Sequence, residues 1–178
     1  MNRMRIFALS IALLRGMTSL VHVRAGETAT LDHWKESVRA RFPGVAQLST
    51  SELASWLADT NRVPPLLLDV RTKPEFALSH LPAAHQVDPG TGAAAVRARV
   101  PTNRPIVVYC SVGWRSSELA TRLAKAGITN VFNLEGSIFA WANEHRPLEA
   151  AEGQPVTRVH PYNSTFGRLL RPEVRGKP

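Results

Sequence analysis

The stretches Leu66-Leu67-Leu68 and Ile106-Val107-Val108-Tyr109 are apolar without a break. A strand with one wet face alternates apolar and polar residues; a strand that does not alternate has to be covered on both faces. Val45 to Leu48, His85 to Val87 and Val131 to Leu134 complete the set of expected strands. Helical segments separate them. Ser49 and Glu52 have the spacing of a capping box, with Leu48 and Leu53 as its hydrophobic staple, and open a helix running to about Asp59. Pro74 to Ser79 reads as a short helix with proline in its first turn. Ala93 to Val100 is a further helix. Residues 116–126 form one with Leu119 and Leu123 inward and Gly127 as its stop. A last helix opens at Gly136 and is closed by Pro147. Strands and helices that alternate in this way predict an α/β fold, a parallel sheet with helices on both faces. Sites in such sheets form at the carboxyl ends of strands, where Asp69 and Cys110 both fall.

The net charge of +8 is a property of the chain ends. Residues 1–42 hold 7 basic and 3 acidic side chains, residues 43–149 hold 10 and 9, and residues 150–178 hold 5 and 2. The nearly neutral centre carries no basic stripe, which argues against nucleic-acid binding. Arg3 and Arg5 precede an apolar run from Ile6 to Leu14, long enough for a signal-peptide core and too short for a membrane span. Val23-Arg24-Ala25 before Gly26 is the expected cleavage site, so residues 1–25 read as an export signal and the protein as periplasmic. A leader rich in arginine and free of acids also suits an organelle transit peptide, and an uncleaved leader would leave the protein cytoplasmic. Residues 26–43 read as a helical extension: Leu31, Trp34, Val38 and Phe42 form one stripe that packs on the domain edge, and Pro43-Gly44 ends it. The main domain spans 44–148. A basic, proline-containing extension follows over 149–178, where Val159, Tyr162, Phe166, Leu169 and Leu170 are the residues able to pin it down.

Cys110 is the single cysteine, which rules out an intrachain disulfide and a resolving thiol. It ends the second apolar run and stands before a short loop and a helix. A helix N-terminus offers unpaired N–H groups and the positive end of a dipole, and both favour thiolate, the nucleophile, over thiol.

Three segments carry a resemblance to the rhodanese-like sulfurtransferase family. They are Leu67-Leu68-Asp69-Val70-Arg71 with Glu75-Phe76, His80-Leu81-Pro82-Ala83-Ala84, and Cys110-Ser111-Val112-Gly113-Trp114-Arg115-Ser116, followed by Leu134-Glu135-Gly136 and Trp141. The resemblance implies a three-layer fold with a five-stranded parallel sheet. It implies that Cys110 takes the sulfane sulfur of a donor such as thiosulfate as a persulfide and passes it to cyanide, a thiol or a protein thiol, a ping-pong reaction that needs no cofactor and no metal. The loop Ser111, Val112, Gly113, Trp114, Arg115 and Ser116 would wrap the sulfur. Its N–H groups would form an anion nest, Gly113 would permit the curl, Arg115 would add charge for an anionic donor, and Ser116 or Ser117 would cap the helix. Two places depart from the family pattern. The stretch usually written Gly-His-Ile-Pro-Gly-Ala is Ser79-His80-Leu81-Pro82-Ala83-Ala84 here, and the usual double glycine is Gly136-Ser137.

The spacing Cys-x4-Arg separates this pattern from the related phosphatases, whose Cys-x5-Arg loop makes room for phosphate; phosphatase and arsenate reductase activities are disfavoured. Two alternatives share the fold: a non-catalytic binding module, which requires an occluded loop, and a protein persulfide carrier, which needs the same thiolate. Asp69 reads as a structural partner of Arg71 rather than a base. His80 reads as a hydrogen-bonding bridge between loops, and its spacing to His85 does not suit a metal pair. Trp114 is either a pocket wall or a cover on the loop. Trp34, Trp56 and Trp141 read as core.

Overall fold

The computed structural model describes residues 30–100 and 103–177. The leader and cleavage site expected within residues 1–25 lie outside the described residues. Strands β1 (Ala46–Leu48), β2 (Leu66–Asp69), β3 (His85–Gln86), β4 (Ile106–Tyr109) and β5 (Val131–Leu134) form one sheet in the order β1-β5-β4-β2-β3. Every neighbouring pair is parallel. The helices are α1 (Leu31–Arg41), α2 (Thr50–Ala58), α3 (Lys73–Leu78), α4 (Ala93–Arg97), α5 (Trp114–Lys125), α6 (Ser137–Asn143) and α7 (Ser164–Gly167). A small antiparallel ribbon, β6 (Leu148–Glu149) with β7 (Pro155–Val156), follows α6.

β2 and β4 are buried at all positions, as their unbroken apolar runs require. The pleat divides them between two cores. Leu67, Val107 and Tyr109 join Leu53 of α2 and Ile138, Phe139 and Trp141 of α6. Leu66, Leu68, Ile106 and Val108 face the other way, against Val96 of α4 and Leu119 and Leu123 of α5. Two helical layers thus enclose the sheet, and the carboxyl ends of β2 and β4 sit side by side.

Local signals set most element ends. Ser49 and Glu52 form the reciprocal capping box at α2. A second box, Thr72 with Glu75, opens α3. α4 stops at Arg97, short of Val100. α5 begins at Trp114, two residues earlier than its periodicity suggests, because Gly113 takes the N-cap position at φ 106°. Neither Ser116 nor Ser117 is therefore the helix cap; both are buried inside its first turns. Of the three positions where the family pattern has glycine and this chain does not, two keep the backbone geometry: Ala83 and Ser137 hold φ of 58° and 53°, whereas Ser79 is extended. A Cβ in that region costs about 1–2 kcal/mol, so both residues are held there by their surroundings.

The segment after the ribbon joins the main core. Val159, Leu170 and Val174 are buried in the same cluster as Leu53 and Phe139, and Phe166 and Leu169 pack against it half-buried. Tyr162 instead remains 47% exposed. Asn143 at the end of α6 clasps the segment, its amide donating to Leu169 O and accepting from Arg171 N–H, both at 2.8 Å. Leu170→Ala should therefore destabilise the protein by about 2–4 kcal/mol, read by urea denaturation; a loss below about 0.5 kcal/mol would show that the segment adds nothing to the fold.

Candidate active site

β4 delivers Cys110 to the carboxyl edge of the sheet, where α6 fixes its backbone. The Cys110 N–H donates to Ser137 Oγ at 3.2 Å. The Cys110 and Ser111 carbonyls accept from Ile138 N–H and Phe139 N–H at 3.2 and 3.1 Å. Those two donors belong to the first turn of α6, whose N–H groups have no partner within the helix. The hydroxyl of Ser137 donates in turn to Leu134 O.

The chain then curls through Gly113, and the loop folds onto the sulfur. Gly113 N–H points at Cys110 Sγ from 3.2 Å, and Ser116 Oγ stands 3.5 Å away. A Cβ at Gly113 would be strained at its φ of 106° and would come within 3.2 Å of the Asn133 amide nitrogen. The single Ser116 hydroxyl proton is shared with Asn133 Oδ1, 2.6 Å away, and Asn133 donates to Gln47 Oε1 at 2.7 Å. This polar chain runs from the thiol across β5 to β1.

Burial pushes the Cys110 thiol up, since the residue is only 1% exposed. The positive charge of Arg115, the Ser116 hydroxyl and N–H, and the Gly113 N–H outweigh it and hold the thiol below its ordinary value. Arg115 is itself held. Its guanidinium donates to both Glu75 oxygens, at 3.0 and 2.8 Å, and to Ser111 Oγ at 3.0 Å. Glu75 is buried and accepts from Thr72 N–H and its hydroxyl through the α3 box. Burial pushes its carboxyl up, but Arg115 and Thr72 prevail and lower it to about 2.

The three supporting residues lie behind this loop and do not line its cavity. Asp69 and Arg71 are wholly buried and paired at 2.7 Å, and Arg71 also donates to Ser79 O. His80 stacks on Phe76 with ring centroids 3.9 Å apart and places its Nδ1 3.0 Å from Phe76 O. Its backbone exchanges two hydrogen bonds with Glu149, so it joins the β2–β3 connection to the ribbon.

A cavity of about 340 Å³ opens over the loop, with Cys110, Ser111, Val112 and Arg115 along one side. The remaining wall is aromatic: Trp34, Trp114, Tyr162 and Phe166. Trp34 is half-buried: it packs against the main core and also walls the cavity. It meets Trp114 edge-on at 6.3 Å and Phe166 at 4.9 Å. Phe42 meets the Trp114 ring at 5.4 Å, so Trp114 both lines the cavity and is covered. Trp56 and Trp141 are core, each with its indole N–H on a carbonyl. Sequence reasoning did not single out Glu75, Asn133, Ser137, Tyr162 or Phe166 for this place. The Thr72-x-x-Glu75 spacing was the one readable signal among them.

Two titrations follow. A carboxyl whose native value lies below its unfolded one contributes stability above the unfolded value and loses it as pH falls through the native one. For Glu75 that window runs from its ordinary 4.5 down to about 2. Thermal melts across it should show wild type losing stability that Glu75→Gln does not lose; parallel curves would show that the carboxylate is not ion-paired. The thiolate absorbance of Cys110 should titrate at higher pH in Arg115→Ala than in wild type, and an unmoved midpoint would remove Arg115 as its cause.

Comparison with known proteins places this geometry. The family model for the rhodanese-like domain matches residues 49–144. A sulfurtransferase of Allochromatium vinosum is 37% identical over 109 residues, 61% of this chain and 99% of that protein. The thiosulfate sulfurtransferase GlpE of Pseudomonas fluorescens Pf-5 is 26% identical over 110 residues, 56% of this chain and 99% of its own length. In fold, the rhodanese-like domain of the Anabaena protein Alr3790 superposes with a TM-score of 0.53 at 24% identity, over 58% of this chain and 78% of that one. The relatives support rhodanese-type sulfur transfer as the general chemistry, and the chain belongs to the rhodanese-like family.

Proposed function

We propose that this protein moves a sulfane sulfur through a persulfide on Cys110. The Cys110 thiolate attacks the outer sulfur of a thiosulfate-type donor. The donor's S–S bond breaks, sulfite leaves with the bonding pair, and Cys110 becomes a persulfide. An acceptor, cyanide or the thiolate of a small molecule or protein, attacks the terminal sulfur, and Cys110 leaves as thiolate. The exchange is redox-neutral, so the cysteine suffices as its own carrier. With no second cysteine in the chain, the sulfur has to leave on a separate acceptor.

The observation that carries this reading is the position of Sγ. It is buried, faces the Gly113 N–H and the Ser116 hydroxyl, feels Arg115, and borders an open cavity. The same donors suit a terminal persulfide sulfur, which carries the charge one bond further out. The tail reaches the loop as the binding-module reading requires, but it walls the cavity and does not fill it.

Intact mass of the purified protein, before and after thiosulfate, tests the intermediate. Wild type should gain about 32 Da, one sulfur atom, and folded Cys110→Ser should gain nothing. No gain in a wild type whose thiol still alkylates would sink the reading. Arg115→Ala should raise the thiosulfate KM, and an unchanged KM would take Arg115 out of donor binding. Export remains a proposal from the leader sequence, and the mass of the protein from an exporting host, starting near Gly26 or at Met1, decides it.

A further inference from the structure

Three of the eight residues that line the cavity over Cys110 lie outside the family module. Trp34 comes from α1, and Tyr162 and Phe166 come from the segment around α7, whereas the family match spans residues 49–144. The Allochromatium relative, matched over 99% of its length by 109 residues, has no room for counterparts of both Trp34 and Phe166. The module thus carries the nucleophile, and this chain's two ends supply a separate wall.

That wall has a definite chemistry. Four aromatic rings, Trp34, Trp114, Tyr162 and Phe166, brace one another edge-on or tilted at centroid distances between 4.9 and 6.3 Å. Rings locked in this way offer flat, rigid apolar area with little side-chain entropy left to lose on binding. The charged residue on the cavity is Arg115, and it is already satisfied: Glu75 grips it from one side, and its Cζ lies 5.1 Å over the Tyr162 ring. A space of about 340 Å³ far exceeds cyanide, and an apolar cleft of that kind takes an apolar group with a few placed polar contacts.

We infer that the sulfur acceptor is a small thiol bearing an aromatic or bulky aliphatic group, which docks between Trp34, Trp114, Tyr162 and Phe166 while its sulfur reaches Cys110. The inference rests on the persulfide reading above and names the acceptor class of that site. In the transfer, the acceptor thiolate forms a new S–S bond to the terminal persulfide sulfur. The old S–S bond breaks, Cys110 keeps its electron pair as thiolate, and the acceptor departs as a persulfide; its thiol proton goes to solvent when it ionises. Specificity then resides in Trp34, Tyr162 and Phe166, which act through binding and not on the bond being broken.

The test compares 4-methylthiophenol with glutathione as acceptors for protein preloaded with thiosulfate. Each kcat/KM is divided by the rate of the same thiol with a small-molecule persulfide, which removes intrinsic reactivity. Wild type should favour the aryl thiol by about tenfold or more, and Phe166→Ala should lower that preference by about tenfold. Tyr162→Ser, at an exposed position where the fold is not at risk, should lower it in the same direction. Equal corrected values in wild type, a preference unaltered in both variants, or transfer to protein thiols alone would overturn the inference. Failure of wild type to gain sulfur from thiosulfate at all would overturn the persulfide reading and the acceptor class with it; a persulfide that forms and shows no preference overturns the acceptor class alone.

Discussion

The site depends on how the peptide on either side of Cys110 is held. Strand pairing ends at Tyr109, and beyond it the chain would be free to move. The first turn of α6 takes over at that point: Ser137 Oγ accepts from the Cys110 N–H, and Ile138 and Phe139 donate to the next two carbonyls. A helix start that would otherwise present unpaired donors becomes the clamp for the nucleophile. The arrangement requires Ser137 at positive φ, a conformation that a glycine would adopt more cheaply. The serine adds in return a hydroxyl that ties Cys110 to the end of β5.

Electrostatics then decides the state of the thiol. Burial alone would keep it protonated, and a 1% exposed sulfur without compensation would be an inert core group. Three polar contacts and one guanidinium outweigh burial and hold the thiol below its ordinary value. Arg115 can do this steadily because Glu75 fixes its plane by two hydrogen bonds, and Glu75 is fixed by the first turn of α3. The charge that influences Cys110 is thus anchored through a helix on a different strand connection, and its position does not rely on a flexible surface side chain.

Much of this architecture was legible in the residues. Unbroken apolar runs at Leu66–Leu68 and Ile106–Tyr109 forced a two-sided sheet, and the Ser49–Glu52 box fixed α2 to within a residue. The cysteine loop was readable because strand end, glycine and arginine are close in sequence. What escaped was non-local or hidden in backbone conformation. Nothing in the stripe of α1 says that Trp34 meets residue 166 as well as the core. Glu75 read as a family marker, since its bond to Arg115 joins positions forty apart in the chain. The start of α5 was displaced because two serines looked like caps while Gly113, with its φ of 106°, already held that place. Asn133 passed as a polar residue in a strand, and only the sheet order shows that its neighbours are Gln47 on one side and the cysteine loop on the other.

The wall drawn from both ends of the chain has a consequence for how the molecule is made. Synthesis runs from the N-terminus, so the strands, the loop and Arg115 all emerge before Phe166, Leu170 and Val174. Until those last residues dock, Leu53 and Phe139 lack part of their cover, and the opening over Cys110 lacks one side. On the acceptor reading proposed above, two of the residues that would select the reactant, Tyr162 and Phe166, are thus among the last to be made. A protein truncated near residue 150 would lack part of the cover over Leu53 and Phe139 and one side of the cavity together. The closing segment thus serves two ends, completing the core and walling the cavity, so loss of one entails loss of the other.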